Sequence, residues 1–262
     1  MTQPIRVAVL PGDGIGIEVM PHGLQALECA ARQTGTFQLT ITHYPWGSGY
    51  YQQTGRMMPA DALKVLADHD VIYFGAIGLP AVIPDHVTLR EFLLPIRQGL
   101  DQYINYRPTK LLKGIVGPLR DKGPEDIDFV VIRENTEGEY SGAGGRIHKY
   151  TADEVAIQTS IFTRHGVERV MRYSFELARA RRKKVTSATK SNANQYTMVF
   201  WDEVFEQVKA GYPDVETEKW HIDALAARFV TRPESLDVVV ASNLFGDILS
   251  DLGGALQGSL GL

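Results

Sequence analysis

Asp247 and Asp251 lie in the run Ser242-Asn243-Leu244-Phe245-Gly246-Asp247-Ile248-Leu249-Ser250-Asp251. On a helix this spacing points both carboxylates from one face, with Asn243 one turn earlier. Two such carboxylates repel unless a positive charge sits between them, and a hard divalent cation such as Mg²⁺ or Mn²⁺ prefers oxygen ligands of this kind. The same spacing also fits a solvated acidic face near a helix N-terminus, where the dipole favours negative charge.

Other side chains could complete a site. Arg97 and Arg107 bracket the strand-like Tyr103-Ile104-Asn105-Tyr106-Arg107-Pro108, and Arg133 follows the apolar run Phe129-Val130-Val131-Ile132. Isolated arginines are usually solvated. Three near strand ends could grip two carboxylates with forked hydrogen bonds, at the edge where α/β ligand sites gather. Tyr140 lies in a polar, glycine-bearing loop, where a tyrosine is usually just surface; near a cationic site its phenol could be acidified enough to pass a proton. Lys190 ends the strand-like run from Val185 to Thr189. It reads as an ordinary exposed lysine or, beside a metal, as a base. Asp223 reads as a metal ligand or a helix-capping residue. His221 reads as structural, because no second histidine stands at ligand spacing.

These groups need a scaffold. The chain has 262 residues, 44% hydrophobic and 22% charged, enough for one large or two modest globular domains. A net charge of −4 argues against nucleic acid as a main partner. Cys29 is the only cysteine, which excludes an intrachain disulfide and a cysteine metal centre and suits a reducing, cytoplasmic setting. No signal peptide opens the chain, and no apolar run reaches membrane-spanning length.

Strand patterns at Ile5–Leu10, Phe37–Thr42, Val71–Phe74, Phe129–Ile132, Val155–Phe162, Val185–Thr189 and Leu236–Ala241 alternate with helical runs. The helical runs are Glu18–Arg32, Ala60–Ala67, Arg164–Arg182 and Trp201–Lys209, with another opening at Trp220-His221-Ile222-Asp223. This alternation predicts an α/β sheet with parallel character. The glycines of Pro11-Gly12-Asp13-Gly14-Ile15-Gly16 alternate, so the G-x-G-x-x-G dinucleotide pattern is not met and no Rossmann fold is implied. A tight turn that lets backbone approach a ligand remains. Ser141-Gly142-Ala143-Gly144-Gly145 reads as a turn. Arg181-Arg182-Lys183-Lys184 reads as a solvated, dipole-matched helix C-terminus.

Taken together, Pro11–Gly16, Arg133-Glu134-Asn135-Thr136-Glu137-Gly138, Thr189-Lys190-Ser191-Asn192 and Ser242–Asp251 resemble the isocitrate/isopropylmalate dehydrogenases. The wording of Pro84–Leu89, Asp101–Tyr103, Glu137–Ser141 and Ser187–Asn192 is nearest the tartrate and D-malate dehydrogenase branch. The resemblance implies a two-domain α/β fold with a central mixed sheet flanked by helices. Residues 1–102 would form a cofactor-side domain, with 253–262 starting its return segment. Residues 103–252 would form the substrate, metal and dimerisation domain.

The implied activity is NAD-dependent oxidative decarboxylation of a small 2-hydroxy dicarboxylate, with Mg²⁺ or Mn²⁺, and K⁺ as a further cofactor. Arg97, Arg107 and Arg133 would hold the substrate carboxylates, and Asp247 and Asp251 the metal. Asp223 would complete the metal site from the partner subunit of a homodimer, and Lys190 from the same partner would take the hydroxyl proton. Tyr140 would return a proton after CO₂ leaves. Asn192, Gly14 and Thr88 would face the cofactor.

Two departures qualify the resemblance. Arg90-Glu91 stands where the branch commonly carries Trp-Gly, on the substrate's variable side. The chain also ends at Leu262, ahead of the tail loop that in the family embraces adenosine. A fragment or a short relative, with little dehydrogenase activity in this form, is therefore the expectation. Two rival readings follow: a 3-isopropylmalate dehydrogenase, against which the charged Arg90-Glu91 pair argues, and a non-catalytic dimerising chain that binds metal and dicarboxylate only.

Overall fold

The computed structural model describes residues 3–259. The last part of the expected return segment, 260–262, lies outside the described residues. The chain forms two compact units, Met1–Asp101 and Gln102–Leu262.

In the first unit, β1 (Gln3–Leu10) is the central strand of a parallel three-stranded sheet between β2 (Phe37–His43) and β3 (Val71–Phe74). Val7-Ala8-Val9-Leu10 are all buried, as a strand covered on both faces requires. Helix α1 (Ile15–Thr34) ends at Gly35 in the left-handed conformation. It starts three residues before the apolar periodicity becomes clear, because Gly14, at φ 50°, supplies the N-terminal turn. Helices α2 (Ser48–Thr54) and α3 (Ala62–Ala67) follow. After β3 come α4 (Asp85–Thr88), a π-helical turn at Leu89–Leu93 and α5 (Leu94–Gly99).

The alternating glycines have distinct reasons. A Cβ at Gly12 would lie 2.0 Å from the Ala76 carbonyl oxygen, and one at Gly16 would lie 2.3 Å from that of Pro11. Both therefore serve close contact of the chain with itself, while a Cβ at Gly14 would meet nothing. Between them, buried Asp13 accepts from the Ser48 amide at 2.7 Å, the Ser48 hydroxyl at 2.6 Å and the Gly78 amide at 3.1 Å.

The second unit contains β4 (Ile104–Lys110), β5 (Asp128–Glu134), β6 (Gly138–Ile147), β7 (Val155–Ile161), α6 (Arg164–Arg179), β8 (Lys184–Thr189), α7 (Thr197–Lys209), β9 (Glu216–His221), α8 (Ile222–Thr231), β10 (Val238–Ala241) and α9 (Asn243–Gln257). Five strands form a sheet in the order β4-β5-β10-β8-β9. Four run parallel and β4 is antiparallel, so the sheet is mixed, as expected. α6 and α7 pack together, as do α8 and α9, and each pair packs on the sheet. Phe129–Ile132, Phe175, Trp201, Phe205, Phe229 and Val238–Ala241 form one continuous buried core. Gly253–Gln257, placed by the resemblance in a return segment, continue α9. There the Gln257 side-chain oxygen accepts from the Lys110 amide at 2.8 Å.

Three local expectations are corrected. Ser141–Gly145 is not a turn but the middle of β6, paired with β7 across a register shift. A Cβ at Gly144 would lie 2.2 Å from the Ile157 carbonyl oxygen, so the glycine permits strand contact rather than reversal. Trp220 and His221 end a strand rather than open a helix; β9 is a polar edge strand, and its charged alternation masked it. The segment Arg181–Lys184 is only partly solvated: Arg182 and Lys183 are exposed, but Arg181 and Lys184 are engaged. Arg181 donates to Asp237 at 2.8 Å and Asp128 at 2.7 Å, and Lys184 pairs with Glu218 at 2.7 Å. This clamp ties together the beginnings of β5, β10 and β8. No helix among the described residues is long and apolar enough to cross a membrane.

Candidate active site

The carboxyl ends of β5, β10, β8 and β9 lie on one side of the second unit's sheet, the side where such sheets hold ligands. Arg133 sits at the end of β5, buried beside β10. Ser242, at the end of β10, caps α9 through its hydroxyl. That cap starts the helix at Asn243 and sends Asp247 one turn onward. A Cβ at Gly246 would lie 2.5 Å from Arg133 Cβ, so this glycine lets α9 lie directly on β5.

Arg133 is gripped along two edges. Its Nε and Nη2 donate to Asn243 Oδ1 at 2.9 and 2.8 Å, and its Nη1 forms an ion pair with Asp247. The other Asp247 oxygen accepts from the Tyr140 hydroxyl at 2.8 Å. The structure therefore brings Arg133, Tyr140 and Asp247 together. Asp251 follows one helical turn later and is exposed.

Electrostatics in this cluster follow from burial. Desolvation lowers the Arg133 pKa, Asp247 and Tyr140 oppose the shift, and Arg107 adds to it by like-charge repulsion. Tyr140 moves against expectation. Burial, then its bond to Asp247, pushes the phenol up to about 12, although the Arg133 guanidinium lies 5.5 Å from the ring centre. The cation loses because the carboxylate accepts the phenolic proton directly, which favours the neutral form. Tyr140 thus holds its proton across the physiological range.

Arg107 lies within β4 rather than at a strand end. Asn105 pairs across from Arg133 and accepts from Arg107 Nε at 2.8 Å, so alternation puts both arginines on one face. Lys190 and Asp223 form a second group, with Nζ 2.6 Å from Oδ1. That hydrogen bond and the lysine's charge lower the Asp223 pKa. Asp223 lies in the first turn of α8 without a capping bond, so the capping reading is not realised. Asn192 is exposed in the turn after Lys190. In the first unit, Gly14 is open, Arg97 lies in the last turn of α5, and the buried Thr88 hydroxyl lacks a hydrogen-bond partner.

The donor chemistry fits a hard divalent cation. Asp247 and Asp251 offer carboxylate oxygens from one helix face, and Asp223 is largely exposed. Among the described residues, no group of three or more His, Cys, Asp or Glu within this chain could hold a metal. The orphaned Thr88 hydroxyl and the open Gly14 turn, both in the first unit, suit a polar cofactor.

The patterns did not reveal three supporting carboxylates. Glu134 is buried and accepts from the Thr136 amide and hydroxyl at 2.8 Å, which shapes the turn after Arg133. Glu137 accepts from Thr163, the cap of α6, at 2.6 Å. Glu139 accepts from the Leu244 amide at 3.2 Å, tying the Tyr140 strand to the α9 N-terminus. The acidic spacing in Glu134–Glu139 was the only sign of them.

Comparison with known proteins identifies the family. The model of the family "Isocitrate/isopropylmalate dehydrogenase" matches residues 6–262. A probable tartrate dehydrogenase/decarboxylase from Agrobacterium vitis is 54% identical over 258 residues, covering 98% of this chain and 72% of that protein. The D-malate dehydrogenase [decarboxylating] of Escherichia coli (strain K12) is 53% identical over 264 residues, covering 100% of this chain and 73% of the relative. The crystal structure of isocitrate dehydrogenase from Methylococcus capsulatus superposes with a TM-score of 0.86 at 31% identity, covering 98% of this chain and 72% of that one. On matched sequence and fold, the chain belongs to the isocitrate/isopropylmalate dehydrogenase family of oxidoreductases.

Proposed function

We propose that this protein oxidatively decarboxylates a small 2-hydroxy dicarboxylate, D-malate or tartrate, using NAD and Mg²⁺ or Mn²⁺. The observation that carries this reading is the joining of Arg133, Asp247 and Tyr140 at the carboxyl edge of the sheet. In this reading an anion-binding cation, a metal-ligating carboxylate and a proton-bearing phenol stand side by side. The 53–54% identity to relatives named for tartrate and D-malate supports the substrate class.

In this reading Arg97, Arg107 and Arg133 bind the two carboxylates, with Arg107 and Arg133 on one face of β4–β5. Asp247 and Asp251 hold the divalent cation with Asp223 supplied across a homodimer. When bound, that cation stabilises negative charge developing on the substrate oxygen. Lys190 takes the hydroxyl proton. Tyr140 holds a proton at its phenolic oxygen and delivers it to carbon after CO₂ departs. Gly14, Thr88 and Asn192 face the cofactor. The first unit serves the cofactor and the second serves substrate, metal and dimerisation, in the cytoplasm.

The test is NADH release over a panel of 2-hydroxy acids, on this chain and on any longer natural form containing it. D-malate or tartrate should be turned over; a panel oxidising only 3-isopropylmalate, or nothing, rejects the assignment. Replacing Tyr140 with Phe should lower kcat for D-malate by about 10²-fold or more, the usual worth of a general acid, with little change in melting temperature. Unchanged turnover removes Tyr140 from proton transfer. Because Lys190 and Asp223 are paired with each other, they are proposed to enter the partner's site together. Mixed Lys190→Ala and Asp247→Asn subunits should regain activity through one intact hybrid site. No recovery after verified subunit exchange places all these residues in one chain.

A further inference from the structure

Asn243 has no assigned role, yet its side chain makes the most closely matched contacts around Arg133. It is fully buried at the first turn of α9. Its Oδ1 accepts from both Arg133 Nε at 2.9 Å and Nη2 at 2.8 Å, while its Nδ2 donates to the Glu137 carbonyl oxygen at 3.2 Å. The amide orientation is thereby fixed: reversed, it would aim N–H donors at the guanidinium. A guanidinium is planar, so holding its Nε–Nη2 edge sets the direction of Nη1.

We infer that Asn243 is a positioning residue that holds Arg133 with a neutral acceptor, leaving the arginine's charge available to a substrate carboxylate. The inference rests on the dicarboxylate reading above. A carboxylate at position 243 would grip the same edge more strongly. Together with Asp247, however, it would set two anions on one cation and cancel the attraction for a third. The carboxamide supplies the geometry without the charge. The Ser242 cap and the close approach at Gly246 place Asn243 and Asp247 on the same helix face, so α9 sets both sides of Arg133.

The experiment titrates wild type and Asn243→Asp with two probes of opposite sign, D-malate and Mn²⁺, by calorimetry. D-malate affinity should fall tenfold or more, while Mn²⁺ affinity stays equal or rises, because the added negative charge repels one probe and attracts the other. A local collapse would weaken both, and that result overturns the inference, as does D-malate affinity within twofold of wild type. If Asn243→Asp does not fold, Asn243→Ser is measured instead. It keeps a neutral oxygen but shortens its reach, so D-malate should weaken and Mn²⁺ should not; unchanged D-malate binding again overturns the inference. A wild-type protein that binds neither D-malate nor tartrate would instead reject the functional reading on which the inference rests.

Discussion

Asp247→Asn is expected to lower kcat/KM for D-malate by about 10²-fold or more while leaving the fold intact. The substitution keeps the size of the side chain but removes its charge. Arg133, almost wholly buried, then loses its ionic partner, and Tyr140 loses the carboxylate that orients its hydroxyl. A 10²-fold loss corresponds to about 2.7 kcal/mol of transition-state stabilisation, since each decade in rate is about 1.4 kcal/mol. Mn²⁺ affinity should fall in the same variant, since a carboxamide is a poorer ligand for a hard cation. Steady-state kinetics and calorimetry check both. Full activity with unchanged Mn²⁺ binding would remove Asp247 from the site.

Asp237→Ala is expected to have the largest effect on stability. Its carboxylate is 2% exposed and sits at the opposite end of the sheet from the site. It accepts from Arg181 Nε and from the Arg182 amide, both at 2.8 Å. Removing it leaves Arg181 with Asp128 as its remaining carboxylate and strands the Arg182 amide where β10 begins, at a cost of about 3 kcal/mol. For a unit of this size that lowers the melting temperature on the order of 10 °C. The exposed Arg179–Asp214 pair is a built-in contrast, with both side chains more than a third exposed. Breaking it with Asp214→Ala should cost less than about 1 kcal/mol. Thermal denaturation followed by circular dichroism compares them, and equal shifts would mean the buried clamp contributes no more than a surface pair.

The reasons for what the sequence disclosed are local. Phe129–Ile132 and Val238–Ala241 are continuous apolar runs because a parallel strand covered on both faces leaves no polar position. Asp247 and Asp251 were visible because helical periodicity alone sets their common face. β9 was missed because Glu216-Thr217-Glu218-Lys219 has the polarity of an edge strand, which resembles a loop when read one residue at a time. The direction of the Tyr140 shift was unreadable, since it depends on a carboxylate 107 residues away in sequence. The same holds for Asn243, which shares contacts with Arg133 across 110 residues. Such contacts follow from strand order, and β10 enters between β5 and β8 although it comes last in the chain.

The most direct test measures NADH and CO₂ together as D-malate is consumed in the presence of Mn²⁺, on this chain and on any longer natural form. Oxidative decarboxylation releases one of each per turnover, so the two should appear in equal amounts and both should disappear in Asp247→Asn. NADH without CO₂, or equal yields that survive loss of the Asp247 carboxylate, would contradict the account.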